Sequence, residues 1–385
     1  MNIQLLNKIA AVGIRELGDG YNNIGENVEN PDGIMVRSAV MHEMEFGTEL
    51  KAIARAGAGV NNIPIDRCSE KGIVVFNTPG ANANGVKELV ICALLLASRN
   101  IVGGIEWAKS LAGTADVAKQ VEKGKSKFAG TEIKGKTLGV IGLGAIGGMI
   151  ANTAIHLGMK VIGCDPFLSV DGAWNLDHNI AHAASYDEVF EKSDYITLHV
   201  PATKETKNMI CAANIAKMKD GVKLINLSRA DLVNAGELKE ALESGKISAY
   251  VTDFPTEDIL GVPSVVAIPH LGASTAESED NCAVMAAREL DDYLKNGNIK
   301  NSVNFPNVDM PRSGVARLCA LHANVPAILT KITAAVSDEG LNIENLTNKS
   351  KGENAYTLID LSNVPSAEAV ARIASLEGVA KVRVV

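Results

Sequence analysis

Short apolar runs alternate with amphipathic stretches over most of the chain. The runs at 138–141, 160–164, 195–200, 224–227, 248–252 and 265–268 read as buried strands, with helices at 146–157, 185–191 and 235–242 between them. That regular alternation from 136 to 269 predicts a doubly wound parallel sheet. Upstream, 33–37 and 73–76 read as strands, 50–56 as a helix-to-strand region and 86–98 as a largely buried helix, while 99–135 is a mixed connection. Residues 275–294 carry the period of a long amphipathic helix. An Asn-, Gly- and Pro-rich stretch, 296–311, reads as a linker. Beyond it strands at 315–321, 341–348, 356–361 and 379–385 and helices at 326–339 and 366–375 give the order βαββαβ, a split βαβ unit.

One stretch adds chemistry to the pattern. Gly142, Gly144 and Gly147 form G-x-G-x-x-G between a strand and a helix, and Asp165 ends the next strand 18 positions after Gly147. This is a dinucleotide-binding fingerprint. Gly142 permits the tight turn, Gly144 lets backbone approach a pyrophosphate, and Gly147 lets the helix pack close to the strand. The helix N-terminus offers N–H groups and the positive end of its dipole to phosphate. Asp165 suits ribose hydroxyls and repels a 2′-phosphate, so the expected cofactor is NAD rather than NADP.

Composition narrows the classes. A chain of 385 residues makes two or three domains. Its net charge of −8 argues against a general nucleic-acid binder. An anionic substrate must then be held by a few local Arg or Lys residues. The longest apolar run, 89–97, is too short to span a bilayer, and the first residues lack the pattern of a signal peptide. The six cysteines form no Cys-x-x-Cys pair and read as reduced, mostly buried thiols of a cytoplasmic protein. The seven histidines show no metal-ligand spacing, so no metal site is expected.

Three chemically able residues follow three strands of the one sheet: Arg229 after 224–227, Glu257 after 248–252 and His270 after 265–268. In an open parallel sheet these strand ends share the edge where ligands bind. Oxidation of a 2-hydroxy acid needs a base for the hydroxyl proton, which an imidazole near neutral pH supplies. It needs a carboxylate such as Glu257 to orient that imidazole, and a planar guanidinium such as Arg229 for the substrate carboxylate. Upstream, Arg37 ends a strand, and the small residues around Gly57 and Gly59 can present successive N–H groups to an anion. With Arg55 they would complete an anion pocket facing the cofactor across an interdomain cleft.

At these residues the chain resembles the D-isomer-specific 2-hydroxyacid dehydrogenase family. The resemblance covers about residues 30–305 and rests on Gly142–Gly147, Leu198-His199-Val200-Pro201, Asn226-Leu227-Ser228-Arg229, Glu257 in Phe-Pro-Thr-Glu, and Pro269-His270 through Thr275. It implies two Rossmann-like α/β domains: a substrate domain of 1–95 with 285–305, and an NAD domain of 96–284. A linker at 306–313 and a terminal domain at 314–385, similar to the small-molecule-sensing ACT domains, complete the chain. The catalytic residues it implies are Arg229, Glu257 and His270. NAD contacts fall on Ala145, Ile146, Asp165, Val200, Leu227, Ser228 and Arg229, with Thr78, His270, Gly272 and Ala273 near the nicotinamide. Thr252-Asp253 stands where relatives usually have Asp-Val, so either residue could reach the nicotinamide amide. Arg37, Ser38, Arg55, Gly59 and Asn82 surround the substrate. The nearest resemblance is to members that oxidise 3-phosphoglycerate at the entry to serine synthesis. It implies serine sensing through His322, Asn324 and Asn342, and a homodimer or homotetramer. Two alternatives stay open: a dehydrogenase of unphosphorylated 2-hydroxy acids, and an NAD-responsive corepressor-like scaffold on the same fold.

Overall fold

In the computed structural model, which describes all 385 residues, sixteen strands make three sheets. The first holds β1 (Asn2–Leu6), β2 (Asn23–Gly25), β3 (Gly33–Val36), β4 (Ala52–Arg55) and β5 (Val74–Phe76), all parallel, in the order β2-β1-β3-β4-β5. The second holds β6 (Thr137–Ile141), β7 (Lys160–Cys164), β8 (Ala181–His182), β9 (Tyr195–Leu198), β10 (Val222–Asn226), β11 (Ile247–Thr252) and β12 (Val265–Ala267). It too is parallel, ordered β12-β11-β10-β9-β6-β7-β8. The third holds β13 (Ala316–Ala323), β14 (Ile343–Lys351), β15 (Asn354–Leu361) and β16 (Val379–Val384), antiparallel, ordered β14-β15-β13-β16.

The chain divides into two units, residues 1–82 with 276–385, and residues 83–275. Both crossings fall earlier than the 95/96 and 284/285 boundaries expected from the pattern. Helix Ala83–Ser98 goes with the second unit because Val86, Val90, Ala93 and Leu94 bury in one cluster with Leu138 and Val140 of the nucleotide sheet and Ile150 of the helix that follows it. Helix Ala276–Asn296 goes wholly with the first because Ala283, Ala286, Ala287 and Leu290 pack under β1, β3 and β4. Gly13 makes this approach possible, since a Cβ there would meet the Ala283 carbonyl oxygen at 2.6 Å. The 99–135 connection contains two helices, Ile101–Ser110 and Val117–Gly124.

The terminal βαββαβ unit is not a loosely tethered appendage. Helices Ile328–Asp338 and Ala367–Ala374 cover one face of its sheet through Leu318, Ala320, Ile359 and Leu361. The other face, Cys319, Leu321, Tyr356 and Leu358, joins the core of the first unit beside Tyr293, Leu294 and Phe305. The expected linker is packed as well: Val308 pairs with Ile299, and Phe305, Val308 and Met310 are buried. Its Asn and Pro residues shape a tight path, and its apolar residues fill the seam.

Polar groups complete that seam. Arg317 and Asp360 are fully buried and bidentate, at 2.6 and 2.9 Å, and a further Arg317 N–H donates to the Asn296 carbonyl. Tyr356 Oη donates to the Gly297 carbonyl at 2.6 Å. Arg383 lies over the Tyr293 ring, 4.3 Å from its centroid, and donates to the carbonyls of Tyr293 and Leu294. Lys381 donates to Thr48 and Leu50, and burial pushes its ammonium down to about 8. No single helix is long and apolar enough to cross a membrane. Four of the six cysteines are buried, whereas Cys92 is exposed and Cys211 half-buried.

Candidate active site and nucleotide loop

Each fingerprint glycine has a separate steric cause. Gly142 has φ 88° and leaves no room for a side chain, because a Cβ would lie 2.4 Å from the His199 carbonyl oxygen. A Cβ on Gly147 would lie 1.9 Å from the Gly142 carbonyl oxygen, so the helix sits tight on the turn. Around Gly144 there is open space, the room a pyrophosphate needs. Helix Ala145–His156 starts there with no side-chain cap, which leaves its first N–H groups, those of Ala145 and Ile146 among them, for an anion. Asp165 follows β7, and its carboxylate accepts from Leu143 N and Phe167 N, both at 2.9 Å. These bonds fix it beside a cavity of about 430 Å³ lined by Gly144, Ala145, Asp165 and Phe167. The residues present fit a dinucleotide. Beneath the loop, burial pushes the His199 imidazole down to about 3, and it bonds Thr197 Oγ1 at 2.8 Å.

The ends of β10, β11 and β12 are adjacent in the sheet and carry the catalytic candidates. Asn226 moulds the first: its amide donates to the Arg229 carbonyl at 2.8 Å and accepts from Ser228 N. Ser228 Oγ reaches across to the Leu198 carbonyl at 2.5 Å. Arg229 is thereby presented to solvent at the strand end, with its guanidinium 5.8 Å from the centre of the Phe254 ring. The His270 ring lies against the same Phe254 ring, 4.6 Å from centre to centre and tilted by 44°. The His270 backbone is held at φ 36° by its N–H donating to the Asp253 carbonyl at 2.9 Å. A left-handed non-glycine residue so pinned holds backbone strain at this edge.

Glu257 does not orient His270 here. It is exposed, has no hydrogen bond or ion pair, and faces a cavity with Lys239, Glu243 and Leu260. The turn Pro255–Glu257 carries it past the sheet edge, whereas Phe254 turns back onto it. The carboxylate near the imidazole is Asp253, almost fully buried. Its Oδ2 accepts from Gly272 N at 3.1 Å and its Oδ1 is buried without a partner. Burial pushes this carboxyl up, opposed by the Gly272 N–H and by the charges of His270 and Arg229. Thr252, by contrast, spends its hydroxyl on Phe254 N at 3.0 Å. Of the Thr252-Asp253 pair, Asp253 therefore has the free acceptor. Phe254 and Asn226 had no assigned role in the sequence reading. A signal existed for both, because each sits inside a quoted motif.

The first unit gathers its own set. Arg37 follows β3 and Arg55 ends β4, neighbouring parallel strands, so the two share one sheet edge, while Asn82 lies in the turn after β5. Ser38 is fixed by its N–H donating to Asn7 Oδ1 at 3.0 Å. Arg55 Nε donates to the Arg37 carbonyl at 3.1 Å, and its guanidinium covers Gly57, where a Cβ would lie 2.1 Å from Nη1. The Gly57 N–H already donates to the Arg55 carbonyl, so any backbone nest is limited to Ala58 and Gly59. Thr78 is buried, its N–H donating to Gly57 O at 3.1 Å. Arg37 pairs with Glu279, Nη2 to Oε1, at 2.8 Å.

His322, Asn324 and Asn342 are not brought together within the chain. His322 pairs with Ala355 near one end of β15, while Asn342 bonds Ser362 past the other end. Seven residues of strand separate the two, roughly 24 Å at the rise of an antiparallel strand. The His322 imidazole is buried against Thr357 Oγ1 and the Ala323 carbonyl, both at 2.8 Å.

Comparison with known proteins places this geometry. Residues 93–272 match the model of the D-isomer specific 2-hydroxyacid dehydrogenase NAD binding domain. D-3-phosphoglycerate dehydrogenase 2 of Saccharomyces cerevisiae is 30% identical over 96% of this chain and 83% of its own length. The chain belongs to the D-isomer-specific 2-hydroxyacid dehydrogenase family. A D-3-phosphoglycerate dehydrogenase of Haemophilus influenzae is 31% identical over 91% of the chain and 85% of its own length. The Methanocaldococcus jannaschii enzyme of that name is 34% identical, and the chain spans 59% of its length. Among solved structures, NAD⁺-bound 3-phosphoglycerate dehydrogenase of Entamoeba histolytica aligns with TM-score 0.61 and 28% identity over 79% of this chain and 98% of that one. The cofactor of this dehydrogenase is NAD, and the loop at 142–147 and Asp165 lie within the matched NAD-binding domain.

Proposed function

We propose that the chain oxidises 3-phospho-D-glycerate to 3-phosphohydroxypyruvate with NAD, the first step of L-serine synthesis. The observation that carries this reading is the pair of arginines, Arg37 and Arg55, at one sheet edge of the first unit, in a chain whose net charge is −8. An unphosphorylated 2-hydroxy acid needs a single guanidinium for its carboxylate, and Arg229 serves that. Two further guanidinium groups suit a phosphate. Relatives bearing the phosphoglycerate dehydrogenase name over most of their length support it.

NAD, when bound, supplies the hydride acceptor. The chain's own residues do the rest. Arg229 holds the substrate carboxylate and polarises the bond at C2. His270 takes the hydroxyl proton, with its ring steered by Phe254 and its charge balanced by Asp253. The free Oδ1 of Asp253 suits an amide N–H donor such as the nicotinamide carboxamide. Glu257 joins this set only if the turn after β11 folds inward when ligands bind.

The test is NADH formation followed by absorbance with 3-phosphoglycerate, glycerate and D-lactate. His270→Asn is expected to lower kcat by at least about 100-fold, the range of general-base catalysis. Arg37→Ala and Arg55→Ala are expected to raise KM for the phosphorylated acid and leave glycerate unaffected. If both variants kept the wild-type KM, the phosphoglycerate reading would fail. We place the enzyme in the cytoplasm as a homo-oligomer, with an ACT-type sensor for serine. Because His322 with Asn324 lies at one end of the sheet and Asn342 at the other, one serine held by both sets needs two chains.

A further inference from the structure

Glu279 stands in the first turn of helix Ala276–Asn296, and its carboxylate already occupies the guanidinium expected to take the substrate's phosphate. The two side chains are 40% and 45% exposed, so neither is a buried charge that needs its partner for stability. Exposed pairs of this kind are weak. Arg37 is the more adjustable of the two arginines. Arg55 is anchored through Nε to the Arg37 carbonyl and its guanidinium covers Gly57, while the Arg37 guanidinium pairs with Glu279.

Resting on the phosphoglycerate reading above, we propose that Glu279 is an internal competitor that holds Arg37 in the free enzyme and is displaced by a phosphate dianion more completely than by a weaker anion. The physical reason is an exchange. A monoanion that displaces Glu279 replaces one carboxylate–guanidinium contact by another, and it loses translational freedom in doing so. A dianion attracts the same guanidinium with twice the charge and adds Arg55. A substrate with a neutral hydroxyl in place of the phosphate leaves the pair intact. Glu279 therefore lowers the affinity of every anion that needs Arg37 by the same few-fold, and a dianion, bound more strongly, still displaces it where a monoanion at equal concentration does not.

The test is Glu279→Gln, which keeps shape and removes the charge, with Glu279→Ala as a second variant should the amide make new bonds. The expected result is a fall of about 1.5- to 5-fold in KM for 3-phosphoglycerate, the range that an exposed ion pair commands, with kcat unchanged. The inhibition constant of inorganic phosphate is expected to fall by the same factor. Competitive inhibition by acetate should strengthen by the same few-fold, and turnover of glycerate should stay as it was. In an Arg37→Ala background the Glu279 substitution should have no effect, which a general structural role would not produce. A rise in KM would overturn the proposal, because Glu279 would then be positioning Arg37 in the bound state. Unchanged KM and phosphate inhibition in both variants would overturn it equally. Calorimetric titration of the full chain with inorganic phosphate reads Glu279 without turnover. If 3-phosphoglycerate is not oxidised but phosphate binds Glu279→Gln more tightly, the substrate reading fails and the competitor stands. If turnover is normal and phosphate binds both proteins alike, the reverse holds.

Discussion

At the scale of single residues, the active edge depends on groups whose roles come from burial rather than from type. Asp253 and Glu257 are both acids after β11, yet only Asp253 is buried, pinned by Gly272 and within the field of His270 and Arg229. Asp253→Ala is expected to lower kcat/KM by about 10-fold or more, since it frees the Gly272 N–H and removes the charge beside His270. Circular dichroism should show the fold retained. Glu289 gives the clearest pH signature. It is buried, with one oxygen taking the Asn301 amide at 2.6 Å and the other unpartnered. Burial pushes its carboxyl up to about 8 from an ordinary 4.5. Between those values the folded chain holds a proton that the unfolded chain has released. Stability from the neutral acid is thus full below pH 4.5 and is lost as pH rises through 8. Glu289→Gln should remove up to about 1.4 kcal/mol per pH unit of that slope in denaturant titrations.

At the scale of elements, the parallel sheets were legible because their strands are apolar throughout and their helices are periodic. The spacing of Gly142, Gly144, Gly147 and Asp165 located the nucleotide loop because Gly142 and Gly147 answer steric demands that no other residue meets and Gly144 keeps the space beside them open. Gly147→Ala is expected to break the loop, its methyl falling within bonding distance of the Gly142 carbonyl. Fluorescence titration should show NAD affinity down by at least about 100-fold, or the second unit unfolded on calorimetry. Less legible were β1, β2 and β8. They are short, and β2 and β8 carry polar or exposed residues, so tertiary pairing rather than local pattern makes them strands. Where the Glu257 side chain points was illegible for a related reason. Its position after β11 is a fact of sequence, but the direction in which a Pro-containing turn points its side chain is not. The Arg37–Glu279 pair left no trace at all, since the two residues lie far apart in the chain.

At the scale of the molecule, the seam between the terminal sheet and the rest of the first unit was hidden by a linker-like composition. Its signature was nonetheless written in β13 and β15, whose residues are apolar on both faces rather than alternating. A sheet covered by helices on one side only would show polar residues at Cys319, Leu321, Tyr356 and Leu358. Arg317→Met, which leaves the buried Asp360 without its charge partner and held only by the Ser313 N–H and hydroxyl, is expected to cost about 3–5 kcal/mol. The first unit and the terminal sheet should lose structure in one transition, followed by hydrogen exchange in β4 and β13 together. Two separate transitions would show that the shared core is not cooperative.

That shared core also limits how such a protein can be rearranged. A module that docks through a flexible tether can be clipped off, exchanged with a sibling or fused elsewhere, and its host keeps working. Here the last four strands hold up the floor beneath helix Ala276–Asn296. Removing them would strip cover from Tyr293, Leu294 and Phe305 and leave an oily scar on the half of the enzyme that carries Arg37 and Arg55. Proteolytic trimming or cassette exchange at this seam is therefore an aggregation hazard, and sequence change on its two sides must go in step.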